Sequence, residues 1–472
     1  MNYKDLLKRK NEIMKKALKI NYDEFEEEGI SFNYDMMMGK ASYNIEEIRK
    51  IQNETKVGNT PLFELKNITK VARTLSAPGK GARIFIKDEA TNPSGSFKDR
   101  RASIAVYYAK KKGYKGVIAA TSGNYGAAVA SQANMRGLKS IIAQEVFDSR
   151  GYGQPEILEK GRKCEAYGAE VMQLSVGPEL FGVLLWVLDD TGFFNASLYT
   201  PFAIAGIETL GYEIATELKK REGKNPDAVI ITNAGGGNLT GTARGLIKAG
   251  SKDTKVIASS VNLSGLHMAS DYDFNRKSFT TGHTGFGIPF TTWPDRTDVP
   301  RNAARVLRYM DRYVTVTQGE VFYMTEALAQ LEGMERGPAG NVSLSAAFSI
   351  AQEMEKDEII IVQETEYTGA GKHPIAQINF ARENGIKVKI GNPEDEIPGK
   401  NIIIPESPEM IRAKNLDINK LRESYIRNTV KRNELKNVSK IEVKFLIEET
   451  KTNINFVIST LEDLGVKVKE TT

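Results

Sequence analysis

Four short segments of the chain combine residue types that can do chemistry. In Asn92-Pro93-Ser94-Gly95-Ser96-Phe97-Lys98-Asp99-Arg100, Pro93 and Gly95 make a turn and Lys98 falls at the start of a helix. The helix dipole disfavours an ammonium there, and that penalty vanishes when the amine is neutral or held as an imine; the plainer alternative is a surface lysine. In Thr121-Ser122-Gly123-Asn124-Tyr125-Gly126, Ser122 and the amides opening the next helix suit an anion such as a carboxylate, although Ser and Asn also serve as ordinary N-caps. In Ala234-Gly235-Gly236-Gly237-Asn238-Leu239-Thr240-Gly241, three glycines let successive N–H groups converge into a nest for a phosphate. The fourth, Glu364-Thr365-Glu366-Tyr367-Thr368-Gly369-Ala370-Gly371-Lys372, offers hydroxyls on a loop.

A dinucleotide site is the rival for the glycine nest. Its spacing requires a glycine at position 240, where Thr240 stands. The next strand ends at Val261-Asn262, without the acid that grips a ribose hydroxyl.

Each segment follows a β-rich run. Strands are expected at 82–87, 116–120, 140–144, 169–174, 228–232, 255–261 and 358–363, and helices at 103–112, 125–136, 155–167 and 207–221. That alternation marks a largely parallel α/β sheet, in which ligands sit beyond the carboxyl ends of strands. Residues 1–55 read as an N-terminal helical arm. The stretch 392–399 reads as a linker, and 393–472 as a helical C-terminal appendage. At 472 residues the chain exceeds one ordinary core.

The bulk numbers exclude several classes. A net charge of +5 is spread along the chain without the concentrated basic stripe of a nucleic-acid surface. One cysteine, Cys164, rules out an intrachain disulfide and a cysteine-based zinc site, and three scattered histidines (His267, His283, His373) argue against a metal site. No run approaches a membrane span and no signal peptide opens the sequence, so a cytoplasmic protein is expected.

In their chain order, Ser96–Arg100, Ser122–Asn124, Gly235–Leu239 and Thr368–Lys372 resemble the signature segments of the threonine-synthase and tryptophan-synthase-beta group of pyridoxal-phosphate enzymes, fold type II. The resemblance implies two open twisted α/β domains with the cofactor in the cleft between them, plus helical terminal extensions. The large domain would comprise 56–102 and 205–392, and the small one 103–204. By the same resemblance Lys98 holds the cofactor as an imine and shuttles protons, and Asn124 bonds its phenolic oxygen. The amides of Gly235, Gly236, Gly237, Asn238 and Leu239 hold its phosphate, and Thr368 faces the pyridine nitrogen. Thr121, Ser122 and the Gly123 amide bind the substrate carboxylate.

The stretches 144–151, 282–287 and 335–341 are similar to a narrower family of two-subunit thiolases in ornithine fermentation. These cleave a 2-amino-4-oxo acid with coenzyme A, releasing acetyl-CoA and alanine. That resemblance implies a small alpha subunit as partner. One or both terminal extensions, which flank a body already complete for cofactor chemistry, are expected to dock it, against the alternative of self-association or covering of the core, and a homo-oligomer of the larger chain is expected. His283, in a glycine-rich loop, is the candidate base for the thiol, against the alternative of a loop histidine bonded to backbone. Cys164, His267 and His373 carry no comparable case. Threonine-synthase-like or ammonia-lyase chemistry on another amino acid is the alternative activity.

Overall fold

Strands apolar on both faces can only sit in the middle of a covered sheet. In the computed structural model of the chain, which describes residues 3–41, 43–121, 123–147, 155–175, 179–262, 291–295, 298–367, 374–398 and 400–469, they occupy that position. The larger sheet contains β1 (Leu62–Glu64), β2 (Arg83–Asp88), β7 (Ala228–Thr232), β8 (Lys255–Val261), β9 (Arg312–Val316), β10 (Ile359–Glu364) and β13 (Lys414–Asn415), in the order β1-β2-β10-β7-β8-β9-β13. The inner pairs are parallel and the two edge pairs antiparallel. Side chains alternate between two cores: Phe85, Val229, Ile231, Ile359 and Ile361 face one, and Ile84, Ile86, Ile230, Ile360 and Val362 the other. The smaller sheet is parallel throughout, with β3 (Gly116–Thr121), β4 (Lys139–Phe147), β5 (Glu170–Ser175) and β6 (Phe194–Asn195) in the order β5-β4-β3-β6.

The helices that position the site are α1 (Lys98–Lys111), α2 (Asn124–Met135), α3 (Pro155–Ala166), α4 (Pro201–Glu222), α5 (Gly237–Lys248) and α6 (Pro338–Ala351). The chain passes from β2 through α1 into the smaller sheet and returns through α4. Helices α4 and α5 touch backbone to backbone. A Cβ on Gly211 would lie 1.9 Å from the Thr242 carbonyl oxygen, and one on Gly245 2.0 Å from that of Glu208. No side chain fits there, so the glycines fix how closely α5 and its N-terminus approach.

The N-terminal arm is helical as expected (Tyr3–Lys8, Lys10–Leu18, Tyr34–Ala41, Ile45–Asn53). It is part of the main core: Met14, Leu18, Met37, Met38 and Ile48 are fully buried. Arg9 forks onto Asp189 (2.9 Å), and Gln52 Nε2 donates to the Gly206 carbonyl (2.7 Å).

The C-terminal region differs from its sequence reading in two ways. Glu396, inside the expected linker, is a structural group that accepts from the amides of Gln318 (2.8 Å), Gly319 and Ile403 (both 3.0 Å). It thereby caps the helix Gln318–Glu332, a role that local composition does not announce. The appendage is also not purely helical. Besides helices Ile418–Arg432, Lys440–Thr450 and Ile454–Asp463, it adds β13 to the larger sheet, and β12 (Asn401–Pro405) pairs in parallel with β11 (Lys387–Gly391). The two extensions meet where the Ile30 amide donates to Glu442 (3.1 Å).

Candidate active site

The carboxyl ends of β2, β3, β7 and β10 carry the four segments singled out in the sequence, and the structure gathers those of their residues that it describes. The turn after β2 is built by its own side chains: the Gly95 amide donates to the Asn92 carbonyl (2.7 Å), Gly95 has φ +80°, and the Ser94 amide donates to Asp99 (2.7 Å). The segment is then stitched to the chain leaving β10. Phe97 N–H donates to the Thr365 carbonyl (3.0 Å), Tyr367 N–H donates to the Gly95 carbonyl (2.8 Å), and Ser96 bridges Glu366. Lys98 is the first residue of α1, as expected, with its side chain one quarter exposed and its ammonium 4.9 Å from the centre of the Phe97 ring.

Glu366 is the residue that sequence reading missed. Its side chain is 4% exposed and sits at the meeting point of three elements. Oε2 lies 3.8 Å from Lys98 Nζ and accepts from the Asn124 side-chain amide, and Oε1 lies 3.9 Å from Lys160 Nζ. Lys160, on α3, was also unread. Its aliphatic stem packs on Gly123, whose Cβ would fall 2.9 Å from Lys160 Cδ and 3.7 Å from Nζ. One helical turn along, Lys163 donates to the Ser94 carbonyl (2.6 Å). Spacing of three places both lysines on one face of α3, which is the signal that was available.

Thr121 and Gly123 close on each other: the Gly123 amide donates to Thr121 Oγ1 (3.0 Å). The donor expected to meet a substrate carboxylate is thus already used within the loop, and Lys160 brings the nearest positive charge. The glycine nest keeps its donors. Gly236 takes φ +80° and α5 begins at Gly237. No hydrogen bond from the amides of Gly235, Gly236, Gly237, Asn238 or Leu239 occurs among the described residues, and Asn238 Nδ2 is buried without an acceptor.

Ser122, Thr368 and His283, with His267 and His373, lie outside the described residues. Cys164 is fully buried, and burial pushes its thiol up to about 12. It is therefore a packed thiol rather than a nucleophile. Iodoacetamide should leave it unmodified in the native protein and label it once urea unfolds the chain; rapid native labelling, read by mass spectrometry, would overturn that assignment. Burial also pushes the Asp99 carboxyl up to about 7. Behind Lys98, Arg100 is held by Glu89 (2.7 and 2.8 Å) and Glu213 (2.9 and 2.7 Å).

Residues 54–365 match the family described as pyridoxal-phosphate dependent enzyme, and the chain belongs to that family. Among its relatives, it is 65% identical over 464 residues to the 2-amino-4-ketopentanoate thiolase beta subunit of Acetoanaerobium sticklandii, covering 98% of this chain and 99% of that protein. A second protein of that name, from an unknown prokaryotic organism, is 64% identical over 467 residues, 99% of each chain. Threonine synthase of Halalkalibacterium halodurans is 30% identical over 192 residues, which is 40% of this chain and 48% of that one. The solved cysteine synthase of Entamoeba histolytica superposes with a TM-score of 0.52 at 22% identity, covering 69% of this chain and 88% of that one, and bears out the expected fold type II architecture. The chain is an enzyme and its cofactor is pyridoxal phosphate. The nest fits that cofactor, since five backbone N–H groups without acceptors among the described residues, at a helix start, suit a phosphate. Among the described residues no helix is long and apolar enough to cross a membrane.

Proposed function

We propose that the chain is the catalytic subunit of a thiolase that cleaves 2-amino-4-oxopentanoate with coenzyme A to acetyl-CoA and D-alanine, in ornithine degradation. The observation that carries this reading is 64–65% identity along nearly the whole length to two proteins named as the beta subunit of such an enzyme. The words beta subunit in that name support a partner subunit. In this reading the partner is a small alpha subunit docked on the terminal extensions, and the chain works as a homo-oligomer in the cytoplasm. The cofactor would lie in the cleft between a large domain of 56–102 and 205–392 and a small domain of 103–204, with 1–55 and 393–472 outside them.

When bound, the cofactor withdraws electrons from the substrate's amino-bearing carbon. In this reading Lys98 holds the cofactor and takes the proton from that carbon. Glu366, 3.8 Å away, sets a carboxylate beside Lys98 Nζ while Lys98 carries the proton. Glu366 also fixes the Asn124 amide through one N–H, leaving the second for the cofactor's phenolic oxygen. The nest would take the phosphate, Thr368 would face the ring nitrogen, and Thr121, Ser122 and Lys160 would meet the substrate carboxylate. The thiolate of coenzyme A attacks the 4-oxo carbon and forms the new C–S bond. The bond between carbons 3 and 4 then breaks and its electron pair stays on carbon 3; the thiol's proton ends on carbon 3 and Lys98 returns its own to the amino-bearing carbon, which gives alanine. His283 is the proposed base for the thiol.

The test is formation of acetyl-CoA from 2-amino-4-oxopentanoate and coenzyme A, with the chain alone and with its partner. Turnover is expected only with coenzyme A present. Phosphate release from O-phosphohomoserine, or ammonia release from a diamino acid, without acetyl-CoA formation would instead establish threonine-synthase-like or lyase chemistry.

A further inference from the structure

Two adjacent arginines in α1 are both buried and are treated very differently by the fold. Arg100 is fully buried and ringed by acceptors: Glu89, Glu213, Thr209 and Thr60 all receive its N–H groups. Arg101 is 4% exposed, yet among the described residues its guanidinium has no hydrogen-bond acceptor and no carboxylate in ion-pair range, and its Nε is buried and unpartnered. Its Cζ lies 5.4 Å from the centre of the Phe97 ring, and the phenols of Tyr199 and Tyr125 are its electrostatic neighbours. Burial lowers the hold of Arg101 on its proton, and the phenols of Tyr199 and Tyr125 offset this only in part. At Arg100 the same burial is outweighed by Glu213 and Glu89, which raise it.

A guanidinium stays charged in a protein, and a buried charge without a counter-charge is costly. The position of this one is informative. A Cβ built on Gly237 would fall 1.9 Å from Arg101 Nη2 and 2.9 Å from Cζ, so the guanidinium rests on the first residue of α5. A Cβ on Gly235 would fall 1.9 Å from the Tyr199 hydroxyl. The cation, with which no carboxylate of the described residues pairs, therefore lies against the nest of amides from Gly235 to Leu239. An anion seated there would meet amide donors on one side and a planar fork of guanidinium donors on the other, a combination suited to the tetrahedral oxygens of a phosphate.

We propose that Arg101 is the counter-ion of the cofactor's phosphate group. It supplies a full positive charge to a site that the glycine nest alone would hold through N–H dipoles. This rests on membership of the pyridoxal-phosphate family and is independent of which substrate is cleaved.

The experiment titrates the full-length apoprotein with pyridoxal phosphate and, separately, with pyridoxal, which lacks the phosphate. Arg101→Met is expected to weaken pyridoxal phosphate binding by roughly 10- to 100-fold, the loss of hydrogen bonds to a charged group, and to leave pyridoxal affinity unchanged. Arg101→Lys should recover part of the difference. Equal weakening for both ligands, or weakening for neither, overturns the proposal. Should Arg101→Met not fold, the wild-type apoprotein decides. Inorganic phosphate is expected to raise its melting temperature and to compete with pyridoxal phosphate but not with pyridoxal; absence of both effects overturns the assignment.

Discussion

The Lys98→Ala variant is expected to lose the imine absorbance near about 410–420 nm and to turn over at least roughly 10³-fold more slowly. Two functions disappear with one ammonium: the covalent hold on the cofactor and the proton carrier beside Glu366. The loss should be specific to chemistry. Lys98 sits at the rim of the core with its side chain one quarter exposed, so thermal stability should shift little. Lys160→Ala provides the contrast, because Lys160 lies on the far oxygen of the same carboxylate. It should keep the absorbance band while amino acids bind more weakly. A band that survives in Lys98→Ala and vanishes in Lys160→Ala would move the imine to the other lysine.

Arg100→Met should give the largest loss of stability, about 3–5 kcal/mol, because it strands Glu89 and Glu213 as buried carboxylates without their cation. Lys87, 3.0 Å from Glu213, tempers the effect only in part. The pH dependence follows from Glu213. Burial on its own would raise its pKa, but Arg100, and behind it Lys87, hold it well below the usual 4.5. A folded-state pKa below the unfolded one stabilises at pH above 4.5, and that contribution fades as acid protonates the group. Wild type should therefore lose stability on acidification, whereas the variant's deficit should narrow as Glu213 accepts a proton. Urea unfolding at neutral pH and at about pH 4 measures both. A deficit under about 1 kcal/mol, or one that widens in acid, would show that the cluster is not the buried network described.

The parallel core was legible because Ile84–Ile86, Ala228–Ile231 and Ile359–Val362 are apolar in consecutive positions, and only a doubly covered sheet tolerates that. The nest was legible because three consecutive glycines are a backbone requirement written in one place. Glu366 was not. It reads as one acid in a loop of hydroxyls, and its partner Asn124 lies 242 residues away in sequence. Lys160 and Arg101 are similarly silent, since a lysine on a charged helix and the second arginine of Lys-Asp-Arg-Arg gain meaning only from what packs on them. Glu396 misled for the same reason. Its segment has the composition of a linker, while its carboxylate serves a helix that began 78 residues earlier. The strand β9 and helix α6 were passed over because their apolar residues follow neither a clean two-residue nor a clean helical period.

The stitching of the Lys98 turn to the exit from β10 has a bearing on how such a chain can change. Phe97 donates to Thr365 and Tyr367 donates to Gly95, so the two loops are in register like the strands of a sheet. A residue inserted on either side would turn every side chain beyond it to the opposite face. Lys98 and Glu366 would then no longer point at the same space. Both loops can vary in residue type, but their lengths are locked to each other, and a deletion in one would be tolerated only with a matching deletion in its neighbour.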